Sequence, residues 1–199
     1  MKQIKQQLLL SSAAFFSILL LAGCGTATTP TSSSETPSQV ETSTVSTVSA
    51  TFTDNLGQIA NGIFTAANGS YRITVPQGST LRTAGTTTTV FSTEDGSTIT
   101  ITSEENTGSY QNLNQEVLEA TYRQLYNDYA TTAFSAQTIN PKRTDYRLSF
   151  TGTTSDTTLQ VSVCKVVSNQ RVITVQISSS SEVANTTDLL EQIVASLSF

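Results

Sequence analysis

The side chains that could carry chemistry are few. The 199 residues contain no histidine, which removes in one step Ser-His-Asp and Cys-His nucleophilic catalysis, HExxH zinc sites and imidazole proton transfer. Cys164 lies inside an apolar run with no imidazole to lower its pKa, so it is expected to be a small buried hydrophobe. Carboxylates come as the neighbours Glu94-Asp95 and Glu104-Glu105 and as Glu116 and Glu119. An enzyme or a loose divalent-cation site would have to be built from these, and no DxDxDG loop accompanies them. Lys142, Arg143 and Arg147 make a local basic cluster suited to an anion, but Asp145 between the arginines points the same way on a strand. That spacing predicts a solvent-exposed ion-pair row. Lys142 and Lys165 could serve a Ser-Lys dyad only in the sense that serine and threonine occur everywhere in the chain. The sequence therefore assigns no catalytic, cofactor-binding or metal-ligating residue, and the expectation is a non-enzyme with no cofactor.

The elements that would position these groups begin with a hairpin. Asn68-Gly69 separates two alternating segments, and a type I′ turn wants positive φ at both central residues. A two-residue loop puts Ala66 opposite Tyr71, Phe64 opposite Ile73 and Gly62 opposite Val75, apolar residues or glycine throughout. Pro76 ends the second strand. Asp95-Gly96 repeats the device and would pair Val90 with Ile101 and Ser92 with Ile99. From Leu113 to Ala130 the period changes to three and four: Val117, Leu118, Thr121, Tyr122, Leu125, Tyr126 and Tyr129 form one stripe, Asn112 caps with Gln115, and Glu119 to Arg123 is a favourable i,i+4 pair. Tyr122, Tyr126 and Tyr129 could stack on a sugar or peptide, but tyrosines on such a stripe are expected to face the core.

Three strand-like runs follow. Tyr146, Leu148 and Phe150 alternate with polar residues; Thr158 to Val167 and Arg171 to Ile177 then flank a turn at Asn169-Gln170. That loop pairs Val166 with Ile173, Cys164 with Val175 and Val167 with Val172, leaving both faces apolar, as in a central strand pair covered on both sides. A closing helix starts at Thr186, Thr187 and Asp188 and buries Leu189, Leu190, Ile193, Val194 and Leu197, with Phe199 tucked against the sheet.

The N-terminus carries an address. Lys2 and Lys5 precede the apolar run Leu8 to Leu20, which is short of the roughly 20 residues of a spanning helix, and Ala22 and Gly23 are the small residues that a signal peptidase requires. Leu21-Ala22-Gly23-Cys24 resembles the lipobox of bacterial lipoproteins. The resemblance implies cleavage before Cys24, a diacylglycerol thioether on that residue, and attachment to the extracytoplasmic face of a membrane. Two acyl chains hold a protein stably at about 0.8 kcal/mol per buried CH₂. Residues 25–50 are rich in Thr, Ser and Pro and cannot bury enough apolar surface to fold, so they read as a tether reaching on the order of 30 Å. The expected organisation is thus a signal peptide at 1–23, lipidated Cys24 and tether at 24–50, and one domain at 51–199. Cleavage would remove Lys2 and Lys5 from the ten basic residues and leave eight against fifteen acidic ones, a net charge of −7. That balance speaks against a nucleic-acid partner. Cys164 would be the one thiol left, so no internal disulfide is expected.

The element order, with Tyr71-Arg-Ile-Thr-Val-Pro76, the Gln170-Arg-Val-Ile-Thr-Val strand and the terminal Ile193-Val-Ala-Ser-Leu-Ser-Phe199, resembles the PsbP-like family. The resemblance implies an α+β fold in which an antiparallel β-sheet is sandwiched between helices, an α/β/α sandwich ordered hairpin, strand pair, helix, three-strand meander and C-terminal helix. It also implies a non-catalytic binding or assembly module, and it transfers no functional residue. Function is accordingly expected to be that of a membrane-anchored surface lipoprotein binding another envelope protein. The alternative is a small-ligand or glycan receptor with a groove near the Tyr-bearing helix or the sheet edge. A free strand edge or exposed apolar patch would favour the first, and a single concave pocket the second.

Overall fold

A computed structural model describes residues 56–110, 113–180 and 184–199. The signal segment, Cys24, the tether and Asn112 lie outside the described residues. A small antiparallel sheet is formed by β1 (Gln58–Ala60), β2 (Ile63–Thr65) and β3 (Arg72–Thr74), in that order. The remaining strands are β4 (Thr80–Ala84), β5 (Thr88–Ser92), β6 (Thr98–Glu105), β7 (Asn127–Asn140), β8 (Arg143–Thr154), β9 (Thr157–Ser168) and β10 (Arg171–Ser179). They make one antiparallel sheet of seven in the order β4-β5-β6-β10-β9-β8-β7. Among the described residues only two α-helices accompany them, α1 (Gln115–Arg123) and α2 (Thr186–Ser196).

This corrects the expected α/β/α sandwich. The described residues are 54% strand and 16% helix, which makes two sheets the framework and leaves the helices as local covers. The longest strand, β7, occupies ground assigned to the end of a helix and to a loop. The helix stops at Arg123, and Asn127 already pairs with Thr153. The reason is local: a Cβ at Gly152 would lie 2.7 Å from that of Tyr126, so the bare glycine is what lets Tyr126 settle on the sheet. Tyr129 then follows on a strand, immediately after a left-handed Asp128 (φ 48°) that kinks the entry.

Two registers hold as read. Phe64 faces Ile73 between β2 and β3, and Val166, Cys164 and Val167 face Ile173, Val175 and Val172 between β9 and β10. The two-residue Asn-Gly turn with both residues at positive φ is nevertheless Asn61-Gly62, joining β1 to β2, whereas Asn68-Gly69 lies in a 3₁₀ turn at Ala67–Gly69. The β5–β6 register is one residue from expectation: Val90 faces Thr100 and Phe91 faces Ile99. A five-residue loop replaces the two-residue turn, because Asp95 Oδ1 accepts from the Ser97 N–H (3.0 Å) and from the Thr93 hydroxyl. A one-residue slip exchanges faces, and Phe91, fully buried, points into the core.

Strand β9 is buried on both faces. Cys164 and Val166 join a cluster with Phe64, Phe91, Ile99, Ile101, Ile173 and Val175, closed by Leu190, Ile193, Val194 and Leu197 of α2. Val161 and Val163 join a second cluster with Leu148 and Phe150, closed by Leu118 and Tyr122 of α1. Asn185 caps α2, its side chain accepting from the Asp188 N–H at 3.0 Å, and the buried stripe is the one expected. Asn114 caps α1. Phe199 is not tucked in: its ring is 52% exposed, with the Arg143 guanidinium 6.0 Å from the ring centre.

Candidate functional site

The expected basic cluster forms at the end of the large sheet where β7 turns into β8 and β9 into β10. Arg143 donates from Nε and Nη2 to the two carboxylate oxygens of Asp145, at 2.7 and 2.9 Å. Arg147 lies 3.7 Å from the same carboxylate and donates to both oxygens of Glu191 on α2, at 2.6 and 3.1 Å. Those bonds to Glu191 hold the Arg147 guanidinium above its usual pKa. The ion-pair row exists, but it is not solvent-exposed as expected: Asp145 is 1% accessible and fastens β8 to α2 through Arg147.

Two open clefts flank this end. One, of about 640 Å³, is lined by Ser70, Lys142, Arg143, Arg171, Leu197 and Phe199 among others. The second, about 430 Å³, includes Tyr110, Lys142, Thr144, Tyr146, Val167 and Asn169. Beside it the Lys165 ammonium sits 4.6 Å from the Tyr110 ring centre and 3.7 Å from Glu104, and burial lowers its pKa. Burial likewise raises the pKa of Tyr110, whose hydroxyl donates to Glu104 at 2.5 Å. This arrangement commits Lys165 to a structural pair and provides no serine partner for it.

The other candidates fall apart as sites. Cys164 is fully buried, and burial pushes its thiol up to about 12. Asp95 is occupied in its own loop, and its hydrogen bond from Thr93 depresses its pKa. Glu119 accepts from Gln115, Arg123 and Thr131 at 2.7, 2.6 and 2.8 Å, which ties α1 to β7 rather than presenting a base, while Glu116 is exposed at the helix start. Among the described residues no group of three or more cysteine or carboxylate side chains could hold a metal. The tyrosines do not form a platform: Tyr122, Tyr126 and Tyr129 surround Phe150 with ring centres 5.1, 5.1 and 4.7 Å away. Tyr122 is buried among them, as the core expectation required.

Two features escaped sequence reading. Arg171, taken only as the first residue of a strand, faces a cleft. Strand β7 ends the sheet, pairing with β8 on one side and with nothing among the described residues on the other. Register shifts break its ladder near Thr131 and near Thr138, leaving Ala133 to Thr138 as a regular stretch. Ser135 to Asn140 are all exposed, and no charged residue occurs from Tyr129 to Asn140. The signal for such an edge is weak in any sequence, because neither face needs to be apolar. No protein-family model matches the chain, and no curated protein sequence matches it.

Proposed function

We propose that this protein is a lipid-anchored, extracytoplasmic, non-catalytic binding module that takes up an extended segment of another envelope protein along β7. The observation that carries the reading is the free edge itself. Unpaired strand N–H and C=O groups template the addition of a further strand, and natural edges are commonly blunted with lysine, proline or short length. From Ala133 to Thr138 this edge has neither lysine nor proline, and the strand runs 14 residues. The Leu21-Ala22-Gly23-Cys24 sequence supports a diacylglycerol anchor on Cys24, and the acidic balance of the chain supports a protein rather than a nucleic-acid partner.

The test is a photocrosslinking residue at Gln137 in the membrane-attached full chain. One discrete protein adduct is expected, lost in the variant Ser135→Lys, whose exposed charge blocks the edge. Cys24→Ala should release the chain from the membrane and lose the adduct with it. Absence of any adduct, or an adduct indifferent to Ser135→Lys, overturns the reading.

A further inference from the structure

Four basic side chains, Lys142, Arg143, Lys165 and Arg171, gather at the end of the large sheet holding the β7–β8 and β9–β10 turns, interleaved with Glu104, Glu105 and Asp145. The opposite end, with the β5–β6 loop, the start of β7 and the β8–β9 turn, carries Glu94, Asp95, Asp128 and Asp156. The basic end is thus an exception on a chain of net charge −5.

Within it, Arg143 is satisfied by Asp145 and Lys165 by Glu104. Lys142 and Arg171 are not: no carboxylate among the described residues forms an ion pair with either, although Glu105 stands opposite Arg171 in the ladder. Both line the 640 Å³ cleft. So does Ser70, which is 7% exposed and whose hydroxyl is buried without a hydrogen-bond partner. A guanidinium fork and an ammonium around one open space are donors that oxyanions use.

We propose that this cleft binds a phosphate monoester, with Arg171 and Lys142 as its cationic donors. Neither cation is held in an ion pair among the described residues, so both can turn to one dianion, which separates a phosphate monoester from a carboxylate. The cleft far exceeds one phosphate group, and the Phe199 ring at its rim gives the rest of the ligand an apolar surface. The cleft adjoins the end of β7 at Asn140 and lies beyond the Ala133 to Thr138 stretch of its edge.

The ligand can come from solution or from a lipid headgroup, and the experiment separates the two. Amide resonances of the full chain are followed by NMR during titration with glycerol 3-phosphate, with acetate, and with phosphatidylcholine vesicles with or without phosphatidic acid. Reading the cleft residues themselves keeps attachment through the N-terminal segment out of the result. Saturable shifts at Ser70, Asn169 and Arg171 with glycerol 3-phosphate are expected, weakened about tenfold in Arg171→Gln and in Lys142→Gln, as loss of a charge-assisted donor implies. Neither side chain has a hydrogen-bond or ion-pair partner among the described residues, so these variants retain the fold. The same shifts with phosphatidic acid vesicles identify a headgroup, and shifts with the soluble ester alone identify a soluble ligand. No shift with either, an equal response to acetate, or unchanged affinity in both variants overturns the proposal.

Discussion

The two hydrophobic clusters that meet at β9 are closed by different means. The first gathers Phe64, Phe91 and a field of isoleucine and valine from three layers: the small sheet, the large sheet and α2. Phe64 and Phe91 meet edge to face, 5.5 Å between centres. The second adds to Leu118, Leu148, Val161 and Val163 one central ring, Phe150, surrounded by three tyrosines beneath a nine-residue helix, and is fastened at its rim by the polar contacts of Glu119. Aliphatic burial scales with area and needs no geometry, whereas the second cluster depends on a few oriented rings and one carboxylate. The first should therefore set global stability, and the second should open alone.

Truncation of the central rings tests this most strongly. Phe91→Ala should cost about 4 kcal/mol, at the level of large core deletions, and lower the whole denaturation curve. Phe150→Ala should cost somewhat less, about 3 kcal/mol. In native-state hydrogen exchange it should strip protection from α1 and β7 while β9 and β10 keep theirs. Equal global losses in both variants would break the distinction between the clusters.

Acid should sharpen the same distinction. Hydrogen bonds from Gln115 and Thr131 hold the Glu119 carboxyl below its usual pKa. A carboxylate depressed in the folded state stabilises fully above its unfolded pKa, and that contribution is lost as pH falls through the folded value. Below about pH 4, the ordinary carboxylate range, amides of α1 and β7 should therefore lose protection before those of β10. Glu119→Gln should remove that pH step; a step that persists assigns it to another group.

The helix caps give the smallest and most local contrast. Asn114→Ala and Asn185→Ala each remove a side-chain acceptor from a helix start and should cost about 1 kcal/mol. The first should be felt mainly as fraying of α1, and the second as a loss of global stability, because α2 closes the larger core. A urea midpoint shifted by Asn114→Ala as much as by Asn185→Ala contradicts that difference.

What could be read from residues alone follows the same division. The β9–β10 register was legible because both faces are apolar, and α2 because Leu190, Ile193 and Val194 repeat with helical period. Strand β7 was not, since an edge strand bearing Ser135, Gln137 and Asn140 has no apolar alternation to reveal it, and the spacing of Tyr122, Tyr126 and Tyr129 mimicked a longer helix. The β5–β6 register failed on one carboxylate: Asp95 organises a five-residue loop where Asp-Gly suggested two. At the basic end, Arg143 beside Asp145 was visible by spacing, but the burial of that carboxylate required β8 and α2 to be brought together. Arg171 and Ser70 are 101 residues apart in the chain and meet only through the packing of the small sheet and α2.

The strand order has a kinetic corollary. Strands β4, β5 and β6 form one run of neighbours and β7 to β10 another, so nearly all pairings are between consecutive strands. The exception is the β6–β10 seam, which joins Glu105 to Arg171 across the whole intervening meander. Loop-closure entropy must be overcome there before any contact repays it. Each run can assemble on its own timescale, and the seam that unites them is the step expected to limit refolding. Until it closes, both flanks of the seam are bare strand edges in the same chain, so this is where crowding would most readily divert folding into association.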